Sequence, residues 1–220
     1  KLTKSPKTVI VLALFSFSSF MLVTIILFSY FTFDVYIHTR SDLEKLLLSE
    51  IPILAETPYD KNINNNIYQS SSREAIAEAV RVLISNLKYI LSSKNRCNVI
   101  LVTSSIKGEG KTLISTNLSS LLSTNDKKVL LIGADLRNPQ IHKYISVSKN
   151  EIGLSDFLYS DKYNVKDLIK NYQNFDILLS GNIPPNPSEL LNSEKFKSLI
   201  EDMKSSYDYV IVDSAPCLLV

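Results

Sequence analysis

The chain has 220 residues, 45% hydrophobic and 21% charged, which is enough for one membrane anchor and one ordinary domain and excludes two large soluble domains. A net charge of +2, from 24 basic and 22 acidic side chains, makes no field that would gather nucleic acid, so DNA is excluded as a primary partner. Cys97 and Cys217 lack metal-type spacing and any secreted-domain framework, and are read as reduced thiols in a cytosolic compartment.

The sequence starts at Lys1 and stops at Val220 inside an apolar run, so both ends are expected to be cut from a longer protein. From Thr8 to Phe33 no residue is charged and Val, Ile, Leu and Phe dominate, more than the ~20 residues that span a bilayer. A signal peptide is set aside, because its apolar core runs ~7–15 residues and ends at a small-residue cleavage site. Lys1, Lys4 and Lys7 precede the span, while Arg40 and Lys45 follow it among Asp34, Asp42 and Glu44. That bias alone would put the rest of the chain outside. The nucleotide site described below needs the cytoplasmic side, and that requirement is given precedence.

After the span, Ser41-Asp-Leu-Glu44 has the form of a capping box, which predicts a short helix through Leu48. Ile51 to Glu56 is apolar and broken by proline, and Thr57 to Ser72 is rich in Asn, Ser and Asp without periodicity, as in a flexible linker. The expected organisation is a transmembrane helix with its flanks over 1–37, a juxtamembrane helix and linker over 38–72, and a folded domain over 73–220.

Within that domain, Ile76, Ala79, Val80, Leu83, Leu87 and Ile90 recur at three- and four-residue spacings and predict an amphipathic helix over Arg73–Leu91. Apolar, β-branched runs at Val99–Thr103, Val129–Ile132 and Tyr209–Val212 alternate with helical stretches. Continuous apolar strands between helices imply a mainly parallel sheet covered on both faces, a doubly wound α/β fold. No internal repeat is visible.

Between the first strand and a helix expected over Leu113–Leu122 stands Ser105-Ile-Lys107-Gly108-Glu109-Gly110-Lys111-Thr112, the spacing of a phosphate-binding loop. Glycines let the backbone turn so that successive amides converge on a phosphate. The following helix N-terminus adds positive potential, Lys111 reaches the β/γ oxygens, and Thr112 ligates Mg²⁺. The strict pattern opens with Gly or Ala, so Ser105 makes the match relaxed; two of the chain's five glycines nevertheless fall in this loop. Ser105, Lys107 to Thr112 and Leu113 are the candidate nucleotide contacts, with ATP and Mg²⁺ as cofactors. A magnesium-nucleotide site also needs a carboxylate at the end of a neighbouring strand. Asp213 ends the Val210-Ile-Val run, and Asp135 follows Val129-Leu-Leu-Ile132, two residues before Arg137. Thr112, Asp135 and Asp213 are therefore the candidate metal residues.

Taken together, these residues resemble the bacterial tyrosine kinases fused to polysaccharide co-polymerases, the Wzc-like capsular exopolysaccharide family. The likeness runs through Asp42-Leu-Glu-Lys-Leu, Ile51-Pro-Ile-Leu, Glu78-Ala-Val-Arg81, the phosphate loop and Leu131-Ile-Gly-Ala-Asp135-Leu-Arg137-Asn-Pro139. It continues through Gly153-Leu-Ser-Asp-Phe-Leu, Gly181-Asn-Ile-Pro-Pro-Asn-Pro-Ser-Glu-Leu-Leu191 and Tyr207-Asp-Tyr-Val-Ile-Val-Asp213-Ser-Ala-Pro216. The resemblance implies a P-loop NTPase domain of the inner membrane that binds ATP, phosphorylates tyrosines and regulates capsule or exopolysaccharide assembly. By the same resemblance Lys111, Asp135 and Arg137 carry the chemistry. The partners it implies are a homo-oligomeric ring through the Glu78/Arg81 helix, the polysaccharide polymerase and export machinery, and a tyrosine phosphatase.

Three features depart from the family pattern. The first acid of the family's Asp-x-Asp motif, proposed there as the base for the tyrosine proton, is Gly133 here, and glycine accepts no proton. The ring helix lacks its second arginine, with Ile84 in that place, and any tyrosine-rich tail would lie beyond Val220. An alternative follows from Gly133, in which ATP only closes a subunit ring and kinase chemistry is absent. A partitioning or cell-division ATPase of related fold is a third reading, disfavoured because Ile106 stands where such proteins carry a lysine. A chain ending just after the Asp213 strand lacks further strands that a doubly wound sheet should have, so the fragment is expected to expose an apolar edge and to be poorly soluble.

Overall fold

The computed structural model describes residues 6–33, 37, 39–47, 51–58, 71–91, 97–124, 126–145, 147–148 and 151–219. It divides into two compact units, 1–53 and 54–220.

In the first unit, helix α1 (Pro6–Thr32) is long and apolar enough to cross a membrane, with a mean hydropathy of 2.6 over Lys7–Thr32. At 1.5 Å per residue its 27 residues extend about 40 Å, beyond the ~30 Å hydrocarbon core. The hydroxyl of Thr24, a polar group in this apolar run, donates to the Phe20 carbonyl at 2.8 Å and so is satisfied within the helix. Helix α2 (Arg40–Leu46) starts earlier than the expected Ser41–Glu44 box. Thr39 is the extended N-cap: its side chain accepts from the Asp42 amide at 3.3 Å, and Asp42 accepts from the Thr39 amide at 3.1 Å. Thr39 takes the cap because it stands one residue ahead of the first helical residue, which leaves Ser41 inside the turn. Leu48, the expected helix end, lies outside the described residues.

The second unit begins before the expected domain start. Asn86 Nδ2 donates to the Leu54 carbonyl at 2.6 Å and tethers this upstream segment to helix α3 (Ser71–Ile90). Residues 59–70 of the expected linker lie outside the described residues, and its last two residues, Ser71 and Ser72, are helical.

The sheet has the order β1-β5-β2-β4-β3, with β1 Asn98–Val102, β2 Val129–Gly133, β3 Lys170–Tyr172, β4 Phe175–Leu178 and β5 Tyr209–Asp213. All pairings are parallel except β3 with β4, where Tyr172 faces Phe175 across a tight hairpin. The remaining helices are α4 (Lys111–Ser123), α5 (Leu154–Tyr159), α6 (Val165–Leu168), α7 (Pro187–Leu191) and α8 (Glu194–Ser206).

Because strand side chains alternate, each central strand feeds two cores. Val129, Leu131, Ile177 and Ile211 meet Ile76, Val80 and Ile84 of α3 and Leu118 and Leu122 of α4. Leu130, Ile132, Leu178, Val210 and Val212 meet Leu199 and Met203 of α8, Leu154 of α5 and Leu190 of α7. Each such fully buried aliphatic side chain is worth ~1.5–3 kcal/mol of transfer free energy, and this two-faced burial is what holds the strand ends in place. Ile84, at the place of the family's second ring arginine, is 7% exposed and belongs to this core. β1 is the edge strand, with Val99 and Leu101 38% and 64% exposed, and the Asp213 strand β5 is interior, between β1 and β2.

Candidate nucleotide-binding site

Parallel strands put their C-terminal ends on one side of the sheet, where ligands of such folds sit. β1, β2 and β5 deliver the phosphate loop, Asp135 and Asp213 to that side. Register fixes them: Gly133 lies opposite Asp213, and the Ala134 amide donates to the Asp213 carbonyl at 2.8 Å.

The loop leaves β1 and turns at Gly108 (φ 95°) and Gly110 (φ 90°), a backbone region that glycine enters without steric cost. Gly110 is the N-cap of α4, so the first α4 amides have no carbonyl partner in the helix, an arrangement that suits an anion. Lys111 Nζ donates to Asp135 Oδ2 at 2.9 Å, with the two side chains 10% and 5% exposed. Thr112 Oγ1 donates to Asp213 Oδ2 at 2.8 Å. Four of the expected residues, Lys111, Thr112, Asp135 and Asp213, thus meet as two pairs at one end of α4.

The other expected residues divide. Ser105, Lys107, Gly108, Glu109 and Gly110 form the loop, with Lys107 exposed and the Glu109 carboxylate folded back onto the loop. The Leu113 side chain packs against the α3 side of the core, so only its backbone can serve a ligand. Arg137 is exposed, and its guanidinium donates to Ser188 Oγ of α7 at 3.0 Å, which ties the Asp135 loop to the Pro184–Leu191 segment. Asp135 Oδ1 accepts the Asn138 amide at 2.9 Å and so shapes its own turn.

One further residue meets the candidate site that sequence did not single out. Ser115, fully buried, sits one turn after Thr112 on the same face of α4, and its hydroxyl lies 3.2 Å from Asp213 Oδ1 and 2.9 Å from the Lys111 carbonyl. Both carboxylate oxygens of Asp213 therefore face a hydroxyl of α4. The available signal was the i, i+3 spacing of Thr112 and Ser115. The same helix buries Thr116, Asn117 and Ser119, each bonded to the carbonyl four residues back, so a polar helix end packs without orphaned groups. Burial pushes the Asp213 carboxyl above its ordinary range, against the lowering pull of Lys111, Thr112 and Ser115, while the Asp135 charge adds to the rise. The half-buried Tyr144 phenol is also raised, first by burial and then by the charge of Asp213.

The donor set suits a hard divalent ion. Among the described residues no group of three or more His, Cys, Asp or Glu side chains could hold a metal by itself. One hydroxyl and one carboxylate, with waters and phosphate oxygens completing the shell, is what Mg²⁺-like ions accept, since they dehydrate reluctantly.

A parallel sheet with a glycine-turned loop opening α4 and acids on neighbouring strand ends defines a P-loop nucleotide-binding protein, which binds nucleotide with a divalent metal. A family model described as an AAA domain matches residues 97–220. The solved kinase domain of Escherichia coli tyrosine kinase ETK superposes with a TM-score of 0.72 at 30% identity, covering 84% of this chain and 76% of that one. Among curated proteins, the tyrosine-protein kinase etk of Escherichia coli K12 is 37% identical over 149 residues, which is 67% of this chain and 20% of that protein. The tyrosine-protein kinase YwqD of Bacillus subtilis 168 is 35% identical over 158 residues, 71% of this chain and 65% of that protein. The chain belongs to the AAA domain family and, within it, to the bacterial tyrosine kinases. It spans about a fifth of the length of the Escherichia coli relative.

Proposed function

We propose that this chain is the ATP- and Mg²⁺-binding part of a protein-tyrosine autokinase anchored in the bacterial inner membrane, its nucleotide domain in the cytoplasm, which regulates capsular or exopolysaccharide production. The observation that carries the reading is the double pairing at α4, Lys111 with Asp135 and Thr112 with Asp213, inside a loop built to converge amides on phosphate. Lys111 leaves Asp135 to meet the β/γ oxygens, and Arg137 adds a second cation at the transferred group. Thr112, Asp213 and Asp135 are the residues offered to Mg²⁺, which when bound neutralises charge on the phosphate oxygens. The Asp135 carboxylate, released by Lys111, serves either as that metal ligand or, where Thr112 and Asp213 suffice for the metal, as the acceptor for the tyrosine proton. Gly133 offers none, and a side chain there would be crowded, its Cβ 2.5 Å from Ser180 Oγ and 3.0 Å from the Ser180 amide nitrogen.

The proposed partners follow from the exposed surfaces and from the resemblance. Glu78 and Arg81 of α3 pair at 2.8 Å with side chains 66% and 59% exposed. An exposed i, i+3 pair is worth only ~0.3–0.5 kcal/mol, so exchanging it for contacts to a neighbouring subunit in a ring costs little. The polysaccharide polymerase and export machinery are the assembly acted on, and a tyrosine phosphatase reverses the modification. Incubating the detergent-solubilised chain, supplied with a tyrosine-rich acceptor peptide, with labelled ATP and Mg²⁺ is expected to yield phosphotyrosine that Lys111→Met abolishes. ATP binding without any phosphotyrosine would refute the kinase reading.

A further inference from the structure

An acid inside a loop that must bind a polyanion is unfavourable by Coulomb repulsion unless its charge is spoken for. Glu109 stands between the two positive-φ glycines, and the resulting double turn folds its side chain back toward the start of the loop. There Glu109 Oε2 accepts two backbone amides, that of Ser105 at 2.7 Å and that of Ile106 at 3.1 Å. The loop start is held from outside as well: the Ser104 and Ser105 carbonyls accept the amides of Cys217 at 2.8 Å and Leu218 at 3.0 Å, and the Ser104 hydroxyl donates to the Ile106 carbonyl at 3.0 Å. The first half of the loop is therefore bonded at its carbonyls by the chain after β5 and at its amides by Glu109. The amides from Gly108 to Thr112 take no part in these bonds and are the ones that the nucleotide-site reading offers to phosphate.

We infer that Glu109 is a positioning residue for the nucleotide: its carboxylate, spent on the Ser105 and Ile106 amides, fixes the loop in the shape that aims the later amides at phosphate. The inference rests on the nucleotide-site reading above. Its geometry separates it from two other roles for the same acid. A competitor that occupies the phosphate seat would be displaced by ATP, and its removal would tighten binding. A purely electrostatic role would survive in any side chain that keeps the charge. The brace needs an acceptor oxygen at glutamate's reach and no charge.

Mg-ATP affinity of the full chain in detergent, followed by fluorescence titration, tests this with Glu109→Ala, Glu109→Asp and Glu109→Gln, each checked for an unchanged far-UV spectrum and melting point. Losing two hydrogen bonds to a charged acceptor is expected to weaken binding about tenfold or more in Ala and Asp, whose oxygen is absent or one methylene short. Gln keeps an acceptor at the same reach and is expected to stay within about threefold of the parent. Ala binding as tightly as the parent, or more tightly, overturns the inference, as does Gln as weak as Ala or Asp as tight as Gln. If Ala does not fold, the contrast between Asp and Gln decides. Lys111→Met serves as the control: if it too leaves affinity unchanged, the nucleotide-site reading fails, whereas if it alone abolishes binding, only the brace is lost.

Discussion

Ser115 and Gly133 show how tightly single positions set this site. Replacing Ser115 with Ala removes the donor to Asp213 Oδ1 and leaves a buried acceptor unpaired, a cost of ~1–3 kcal/mol. The expected signature is selective: affinity for Mg-ATP falls severalfold, while affinity for ATP in EDTA changes less, because Ser115 meets the Asp213 carboxylate directly but Lys111 only at its backbone carbonyl. Equal losses in both titrations would make Ser115 a packing residue. A second outcome follows from burial of Asp213. Its folded-state pKa is raised by desolvation, so the ionised carboxylate destabilises the metal-free fold; that penalty is absent below the unfolded value and grows as pH rises through the folded one. Asp213→Asn in EDTA is therefore expected to melt above the parent at neutral pH, by about 2–4 °C for each ~1 kcal/mol relieved, with the gap closing as the pH falls toward the usual carboxylate range. A parent that melts higher at neutral pH contradicts this. At Gly133, a new Cβ would stand 2.5 Å from Ser180 Oγ, 3.0 Å from the Ser180 amide nitrogen and 3.1 Å from Ile141 Cδ1. Two of those three atoms are side-chain ends, but the backbone nitrogen cannot step aside. Gly133→Asp is expected to cost ~1–3 kcal/mol by overpacking and to lower the melting point. Restoring an acid there alone is thus no clean test of whether ATP serves only to close a ring.

Among the elements, those that stood out in the sequence are the ones buried on both faces. β2 and β5 are unbroken apolar runs and every residue in them is buried, so composition alone marks them. β3 and β4 did not stand out: β3 is Lys-Asn-Tyr on an edge, and β4 is only four residues long with Asp176 in the middle. That aspartate looks wrong for a strand until its partners are seen. Tyr207 Oη donates to Asp176 Oδ2 at 2.8 Å and Asn171 Nδ2 to Oδ1 at 3.0 Å, so the end of α8, β3 and β4 converge on one carboxylate. Helices α5 to α7, of four to six residues, are too short for a 3.6-residue period to register. The candidate site was more legible than the sheet, because phosphate and metal chemistry would demand residues like Lys111, Thr112, Asp135 and Asp213 at this spacing, and these four do meet as two pairs. Ser115 and the fold-back of Glu109 were not legible, since a serine inside a helix and an acid in a loop have many ordinary roles. The Tyr207 junction yields its own expectation. Burial, then the bond to Asp176, pushes the Tyr207 phenol far above its ordinary value, so the hydroxyl is a permanent donor at all physiological pH. Tyr207→Phe is expected to destabilise the domain by ~1–2 kcal/mol in chemical denaturation. The parallel change Asp176→Asn, which keeps an acceptor for Tyr207, should cost less; if it costs more, the carboxylate charge matters beyond this bond.

For the whole molecule, two apolar surfaces face outward for different reasons. α1 exposes apolar side chains all round its circumference, Val9, Ile10, Val11, Leu12 and Leu14 in a single stretch, as a helix in lipid does. β1 exposes Val99 and Leu101 on one face of an edge strand whose other face packs against the core through Ile100 and Val102. A parallel edge with apolar side chains presents both free backbone groups and greasy surface, the combination that natural sheets usually cover or charge. Self-association of the solubilised chain can therefore arise from either surface, and the two are separable because they lie in different compact units. Threonine at 101 supplies a β-branched side chain suited to a strand while removing most of the apolar area. If the edge drives association, Leu101→Thr is expected to lower light scattering severalfold at matched detergent, with Mg-ATP affinity retained because the Leu101 side chain is largely exposed on the edge strand. Residues 54–220 produced without α1 should then still associate, and should be rescued by the same substitution. If instead removal of 1–53 alone yields a monodisperse, nucleotide-binding domain, the edge is innocuous and the membrane helix accounts for the whole effect.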